Sequence, residues 1–174
     1  MVYSLWLVPP SGSQISASIS KIIQSLGCSF APHVTIVSKI PLSSSIDDIR
    51  TILVNYFQNQ SKPTVHIQTL ATGSAFYKRV FLRCEKTESL VSLARFSKEK
   101  FVDDKEDINK WVDEYDPHIS LVYGDEKDCS NQEFLKRIDA SPFIDQTWQG
   151  GRILLVDTSR ELSQWKTVLD FSIS

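Results

Sequence analysis

The chain has few cysteines and no long hydrophobic run, and each absence excludes a class of protein. Its three cysteines, Cys28, Cys84 and Cys129, are odd in number and widely spaced. This spacing fits neither a zinc site nor a disulfide framework, so we expect reduced, structural thiols. No apolar stretch approaches the length that crosses a bilayer, so we expect no membrane insertion. Residues 1–10 have no basic leader, and we expect them to form a first strand and not a signal peptide.

The chain also lacks an excess of basic residues. Its formal net charge is −2 over 174 residues. Proteins that coat long nucleic acids usually depend on a large basic surface, so we expect no such partner. A small nucleotide-like ligand is compatible with this charge. The hydrophobic fraction of 41% and the charged fraction of 23% are ordinary for a globular protein, and the length suits a single domain over 1–174, which we expect to be monomeric.

Histidine is scarce too, yet two of the three histidines occur in the same short pattern, His-x-Ser/Thr-hydrophobic. The first copy, HVTI, begins at His33, and the second, HISL, begins at His118. Side chains alternate along an extended strand, so each histidine shares a face with the hydroxyl residue two positions later. Each copy therefore presents an imidazole beside a hydroxyl, from Thr35 in the first and Ser120 in the second.

Two such pairs facing each other would supply what cleavage of a phosphodiester requires. An imidazole pKa near 6.5 allows one ring to accept a proton from water while the other, protonated, supplies the leaving oxygen. The hydroxyls of Thr35 and Ser120 would donate hydrogen bonds to the non-bridging phosphoryl oxygens. We therefore expect His33 and His118 to be catalytic, with no metal, no cofactor and a bell-shaped pH profile.

The rest of the chain repeats the order strand, helix, His strand, helix, strand. Besides the two motif strands, periodicity predicts strands near 3–8, 63–69, 76–84, 148–157 and 165–172 and helices near 13–26, 45–58, 87–101 and 131–139. Residues 98–116 are rich in charge and fit neither pattern, so we expect a mobile flap with a solvated face there. The doubled order predicts an α+β fold of two pseudo-symmetric lobes, each an antiparallel sheet flanked by helices, with a central cleft.

The two motifs and the doubled order resemble the 2H phosphoesterase superfamily, which is named for paired His-x-Thr/Ser motifs. The stretch HISLVY, which ends at Tyr123, and YSLWLVP over 3–9 are similar to the cyclic nucleotide phosphodiesterases of fungi and plants. The resemblance implies a single bilobal domain over 1–174 that opens 2′,3′-cyclic nucleotides to 2′-phosphates. It also implies conversion of ADP-ribose 1″,2″-cyclic phosphate to ADP-ribose 1″-phosphate, among the by-products of tRNA splicing.

The same resemblance implies further properties. It makes His118 the base and His33 the acid, an order that the motifs themselves leave open. It implies a small cyclic phosphate as the binding partner. The cysteine pattern predicts a cytoplasmic location, and the resemblance to fungal relatives implies association with the Golgi as the alternative. It makes Tyr123 a phosphate or ribose contact, although packing in the sheet would explain that residue equally well.

Recognition of the base is less clearly marked in the sequence. Aromatic side chains stack on any nucleobase, and Phe76 and Tyr77 stand directly before the cations Lys78 and Arg79. Tyr77 is our candidate substrate contact. Core packing explains Phe76 as well, and a solvated strand edge explains the two cations. Trp111 and Trp148 are weaker candidates for base stacking.

Three other functions use the same residues. A metal site would add His66 or Asp116 as a ligand, but the chain has no ligand spacing typical of a metal centre, and His66 lacks the hydroxyl partner and is better explained by packing. A non-catalytic module could hold an adenosine monophosphate-like ligand, yet binding alone needs no matched acid and base. A 2′-5′ RNA ligase or an RNA-end phosphodiesterase would keep the chemistry on a larger substrate, which the lack of basic surface disfavours.

Overall fold

A computed structural model describes residues 2–124 and 130–173, so Cys129 lies outside the described residues. The strands are β1 (Val2–Val8), β2 (Val34–Pro41), β3 (Thr64–Ala75), β4 (Lys78–Cys84), β5 (His118–Val122), β6 (Thr147–Gln149), β7 (Gly151–Asp157) and β8 (Lys166–Ile173). The helices are α1 (Gln14–Ser25), α2 (Ile46–Asn59), α3 (Glu88–Phe101), α4 (Ile108–Glu114) and α5 (Asn131–Lys136). A 3₁₀ turn over Leu162–Gln164 precedes β8.

Side-chain oxygens cap the N-termini of the first three helices at the positions that the sequence suggests. Ser13, Ser45 and Thr87 each accept a hydrogen bond from a backbone N–H in the first turn of α1, α2 and α3. These bonds satisfy donors that would otherwise lack an intrahelical partner. Within the described ranges, no helix is both long enough and apolar enough to span a bilayer.

The strands form one antiparallel sheet in the order β6-β3-β4-β5-β2-β1-β7-β8. The main core lies between this sheet and the helices, where Leu5 and Leu7 of β1 pack with Ile19 and Ile23 of α1. Trp6, between the two leucines, lies on the opposite face of the strand. Because side chains alternate along a strand, one face of the sheet packs against the helices to form the main core, and the opposite face borders a cleft.

The two motif strands, β2 and β5, are neighbours at the centre of the sheet. Only one register pair, Val34 with Ile119, joins them, so the four strands on each side form a lobe and the cleft lies at the seam. The α+β architecture and the central cleft predicted from the doubled order are confirmed.

The lobes do not coincide with the two halves of the chain. The strand that closes each repeat crosses to the other lobe, because β3 pairs with β4 and β7 pairs with β1. One lobe is therefore completed by β3 from the first half of the chain and the other by β7 and β8 from the second half, and local periodicity does not specify these pairings.

The expectation of a charged flap without regular structure over residues 98–116 is wrong. Helix α3 continues to Phe101, and α4 follows within the segment. Lys98 Nζ donates to Asp104 at 2.5 Å and to Glu106 at 2.9 Å, while Tyr115 Oη donates to the backbone oxygen of Thr35 at 3.0 Å. Several of the charged side chains that suggested a solvated segment are thus paired with each other in a half-buried cluster of Lys98, Asp104 and Glu106.

The predicted strand over 148–157 is interrupted at Gly150, which separates β6 from β7 with a φ of +71°. Gly151 follows with a φ of +113°, and a Cβ there would lie 2.2 Å from the backbone oxygen of Val8. Only glycine fits this position, because β7 approaches the end of β1 too closely for a side chain.

We expect Gly151→Ala to lower the free energy of unfolding by more than about 2 kcal/mol, because it adds a backbone clash to an unfavourable φ. Gly27→Ala is the matched control, since Gly27 has a φ of +82° and open space around it. That variant is expected to lose only about 1 kcal/mol. Urea unfolding of both proteins measures the difference, and equal losses would contradict the close approach.

Candidate active site

One cavity of about 410 Å³ brings the two motifs together at the seam of the sheet. It lies on the face opposite the main core, between the two lobes. All six candidate site residues line it: His33, Thr35, Tyr77, His118, Ser120 and Tyr123.

The two imidazoles are held in the same way. His33 Nδ1 bonds the backbone oxygen of Ala31 at 2.6 Å, and His118 Nδ1 bonds that of Asp116 at 2.7 Å. A carbonyl oxygen can only accept, so each Nδ1 carries the proton that is donated. Each Nε2 is therefore the nitrogen left to exchange a proton with a substrate, as acceptor when the ring is neutral and as donor when it is charged.

His33 lies in an aromatic setting and is only 4% exposed. Trp6 stacks on its ring with centroids 3.7 Å apart and planes 9° apart, and Phe30 meets it edge-on. Tyr123 Oη is 3.3 Å from Nε2. Burial lowers the pKa of His33 to about 4, despite the opposing effect of its bond to Ala31. The ring is thus neutral at neutral pH in the free protein.

His118 lies beside charged groups. Phe81 meets its ring edge-on, and Asp116 forms ion pairs with Lys78 and with Arg83. Burial lowers the pKa of His118, although the hydrogen bond to the Asp116 backbone opposes this shift. Both imidazoles therefore lose their protons more readily than a free histidine does.

The two motif hydroxyls differ in the free protein. Among the described residues, Thr35 has no hydrogen-bond partner for its side chain, so its Oγ1–H is available to a ligand. Ser120 Oγ instead donates to the backbone oxygen of Tyr77 at 2.7 Å. Its hydroxyl must rotate from that carbonyl before it can donate to a phosphoryl oxygen, so the two expected donors are not equivalent.

Comparison with known proteins identifies the arrangement. A family model described as "cyclic phosphodiesterase-like protein" matches residues 1–173. The chain belongs to this family. This protein is thus an enzyme that hydrolyses phosphodiester bonds, and its resemblance to the cyclic nucleotide phosphodiesterases of fungi and plants is confirmed.

Similar curated proteins come from fungi and a plant. The chain is 29% identical to a 2′,3′-cyclic-nucleotide 3′-phosphodiesterase of Phaeosphaeria nodorum, with 96% of each chain covered. It is 25% identical to the cyclic phosphodiesterase of Arabidopsis thaliana, covering 96% of this chain and 92% of that one. The crystal structure of E. coli LigT with 3′-AMP has the same fold, with a TM-score of 0.51 and 11% identity over 98% of this chain and 96% of that chain.

Aromatic rings form one wall of the cavity. Tyr77, 54% exposed, meets Tyr123 edge-on and lies 5.7 Å from Trp165 between ring centroids. This exposed ring presents an apolar face at the cavity on which a nucleobase can stack. Phe76 is exposed but does not line the cavity.

The other suggested ligand contacts are placed differently. Lys78 lines the cavity and is paired with Asp116. Arg79 is only 2% exposed and donates to Asn131, so it does not face the ligand as the sequence suggested. Trp148 belongs to the main core. Its burial excludes it from base stacking.

His66 lies outside the cavity that holds the two motifs. Its Nδ1 is 2.8 Å from Glu85 Oε2, an ion pair between neighbouring strands when the ring is protonated. Within residues 2–124 and 130–173, no three His, Cys, Asp or Glu side chains are grouped as metal ligands. His66 and Asp116 therefore do not join the cleft histidines in a ligand set.

Each motif has a common extension on the N-terminal side of its histidine, which the short pattern His-x-Ser/Thr does not include. Each histidine directly follows a buried proline, Pro32 or Pro117. An aromatic residue, Phe30 or Tyr115, lies two positions before that proline. Proline restricts the residue before it to extended conformations. That residue supplies the carbonyl that holds Nδ1. The longer pattern, aromatic-x-Pro-His-x-Ser/Thr, was therefore a visible signal for the orientation of both rings.

Proposed function

We propose that the protein hydrolyses 2′,3′-cyclic nucleotides to nucleoside 2′-phosphates without a metal. The proposal rests on one observation: two imidazoles with Nδ1 held by backbone carbonyls line a single cavity with two hydroxyls. The names of the fungal relatives support the substrate class. Matched imidazoles favour catalysis over a module that only binds a nucleotide.

The reaction needs only two proton transfers and one displacement at phosphorus. Nε2 of the neutral imidazole takes a proton from water, and the oxygen attacks phosphorus in line with the 3′ oxygen. The bond from phosphorus to the 3′ oxygen breaks, and that oxygen takes the proton from Nε2 of the charged imidazole. Thr35 and Ser120 donate to the non-bridging oxygens, where negative charge increases in the transition state. The resemblance assigns the base to His118 and the acid to His33.

We also propose ADP-ribose 1″,2″-cyclic phosphate as a substrate, yielding ADP-ribose 1″-phosphate, among the by-products of tRNA splicing. This compound has the same strained five-membered cyclic phosphodiester on a ribose. The exposed ring of Tyr77 supports the proposal, because stacking accepts any base. The net charge of −2 favours such small substrates over RNA ends.

A substrate panel tests this function. It contains 2′,3′-cyclic nucleotides, ADP-ribose 1″,2″-cyclic phosphate, 2′-5′ oligonucleotides and cyclic-phosphate-ended RNA, with phosphorus NMR to locate the product monoester. We expect turnover of the first two, with a 2′-phosphate from the cyclic nucleotide, and no change after exhaustive chelation. A preference for the RNA substrates would assign the protein to RNA-end processing, and a loss that added zinc restores would support the metal site.

The pH dependence follows from the two lowered pKa values. Only the form with one neutral and one charged imidazole reacts, and kcat/KM reports the free enzyme. The singly protonated pair increases as the pH rises through about 4, the pKa of His33, and decreases as the pH rises through the pKa of His118, which is below 6.5. The reacting arrangement, with the proton on His33 and not on His118, is a fixed fraction of this population and therefore has the same pH dependence. We therefore expect a bell-shaped kcat/KM profile with its optimum below pH 6.5.

The profile of kcat, measured in the same experiments, is expected to lie at higher pH. An anionic substrate between the rings stabilises imidazolium and raises both pKa values. An optimum of kcat/KM above neutral pH, or a kcat profile at lower pH than that of kcat/KM, would contradict this account.

A further inference from the structure

Lys39 has an unusual backbone conformation beside the candidate active site. Its φ of +67° places a non-glycine residue in the left-handed region. Such conformations are unfavourable for a residue with a side chain and are frequent at ligand-binding positions. Lys39 lies on β2, the strand that follows His33, and it is exposed.

A β-bulge accompanies this conformation. Tyr3 pairs with Ile40 and Leu5 with Val37, so β2 has one residue more than β1 between these pairs. In a regular strand, adjacent side chains point to opposite faces. Here both Ser38 and Lys39 line the cavity that holds the catalytic motifs. The bulge therefore directs a hydroxyl and a cation towards the ligand site together.

The cavity continues past Lys39 into a second cavity, also of about 410 Å³. Ser38, Lys39, Lys78 and His118 line both cavities. A ligand whose reacting group lies between the two histidines can thus extend along Lys39. The second cavity is lined in addition by charged and aromatic side chains that include Lys98, Glu106, Trp111, Glu114 and Asp116.

Lys39 differs from the other lysines of these cavities in its ion pairing. Lys78 pairs with Asp116, and Lys98 pairs with Asp104 and Glu106. Lys39 has no ion pair in the part of the chain that the structure describes. The hydrogen bond from Lys98, and to a smaller extent the charge of Lys39, lower the pKa of the exposed Asp104. Lys39 is therefore near a carboxylate that already has a partner.

We propose that Lys39 and Ser38 form a subsite for a second phosphate, the one carried on the 5-oxygen of the ribose whose cyclic phosphate is cleaved. This rests on the proposed function and narrows its substrate class. Small nucleotides with such a phosphate or diphosphate, including ADP-ribose 1″,2″-cyclic phosphate, are then preferred over plain 2′,3′-cyclic nucleotides. A lysine ammonium and a serine hydroxyl supply the charge and the donor hydrogens that a phosphate oxygen accepts.

Product binding tests the subsite without requiring turnover. Adenosine 2′,5′-bisphosphate and adenosine 2′-phosphate differ only in the 5′-phosphate, and calorimetry gives the ratio of their Kd values. We expect the bisphosphate to bind wild-type protein more tightly by on the order of fivefold to tenfold, the effect of one charge-assisted contact in a partly exposed site. The ratio should fall to about one in Lys39→Ala and remain in Lys39→Arg, since Arg keeps the charge.

Two control variants distinguish the effect of the Lys39 charge on binding from an effect of the substitution on folding. Lys39→Gly removes the side chain but suits the left-handed backbone, so it should lose the preference while its melting temperature stays at or above that of the wild type. Lys21→Ala removes an exposed lysine from α1, outside both cavities, and should retain the wild-type ratio. A wild-type ratio near one, or an unchanged ratio in Lys39→Ala, would overturn the subsite.

Turnover of the cyclic substrates with and without a 5′-phosphate distinguishes a failure of the subsite from a failure of the proposed function. The ratio of kcat/KM for 5′-phosphorylated and plain 2′,3′-cyclic AMP should change in the same way as the binding ratio. Failure of the wild type to open either substrate, with the binding ratio intact, would overturn the function but support the subsite. A Lys39-dependent preference for RNA with a cyclic phosphate end over the 5′-phosphorylated mononucleotide would overturn the assignment to small nucleotides.

Discussion

Replacing either cleft histidine with alanine is expected to lower kcat for 2′,3′-cyclic AMP by at least about a hundredfold, because each imidazole performs one of the two proton transfers. The fold should survive both changes. Trp6 packs beside His33 and Phe81 beside His118, and these aromatic residues remain in the variants. Steady-state kinetics together with thermal unfolding of His33→Ala and His118→Ala provide the measurement.

The third histidine is the matched control. His66 pairs with Glu85 outside the cavity, so His66→Ala should retain wild-type turnover. A phosphodiester with a nitrophenolate leaving group separates the two roles, since that group departs without a proton. If His33 is the acid, this substrate should restore much of the turnover in His33→Ala but not in His118→Ala. Turnover near that of the wild type with 2′,3′-cyclic AMP in either variant would refute the catalytic assignment.

Removing the motif hydroxyls should have the next largest effect. Thr35→Val preserves the shape of the side chain but deletes a donor to the phosphoryl oxygens, and we expect kcat to fall by about tenfold to a hundredfold. Ser120→Ala should lower kcat similarly. It should also destabilise the protein by about 1 kcal/mol, because the backbone oxygen of Tyr77 loses its partner.

Thr69→Val controls for the substitution itself. Thr69 is an exposed threonine on β3 that does not line the cavity, so both kcat and stability should stay close to those of the wild type. The double variant of Thr35 and Ser120 shows whether the hydroxyls act on one phosphoryl group, since residues that share a ligand give non-additive losses. An unchanged kcat in Thr35→Val would exclude its hydroxyl from transition-state stabilisation.

Local patterns predicted most elements of this fold. The strand near 3–8, the helices that begin after Ser45 and Thr87, and the two motif strands are observed within a few residues of their predicted bounds. Periodicity and capping are properties of neighbouring residues, so the sequence expresses them directly. Helix α4 was not predicted because charged residues dominate its sequence. The helix is held by Trp111 and by Tyr115, the residue that follows it, and both pack against the core.

The sequence by itself determined the reactive groups of the site, which are two imidazole and hydroxyl pairs carried on strands. Only the tertiary structure decided that β2 and β5 are neighbours, that Trp6 stacks on His33, and that a bulge directs Lys39 into the cleft. Strand order and pairing depend on contacts between distant residues. Burial, which lowers both imidazole pKa values, likewise arises only when the lobes enclose the site.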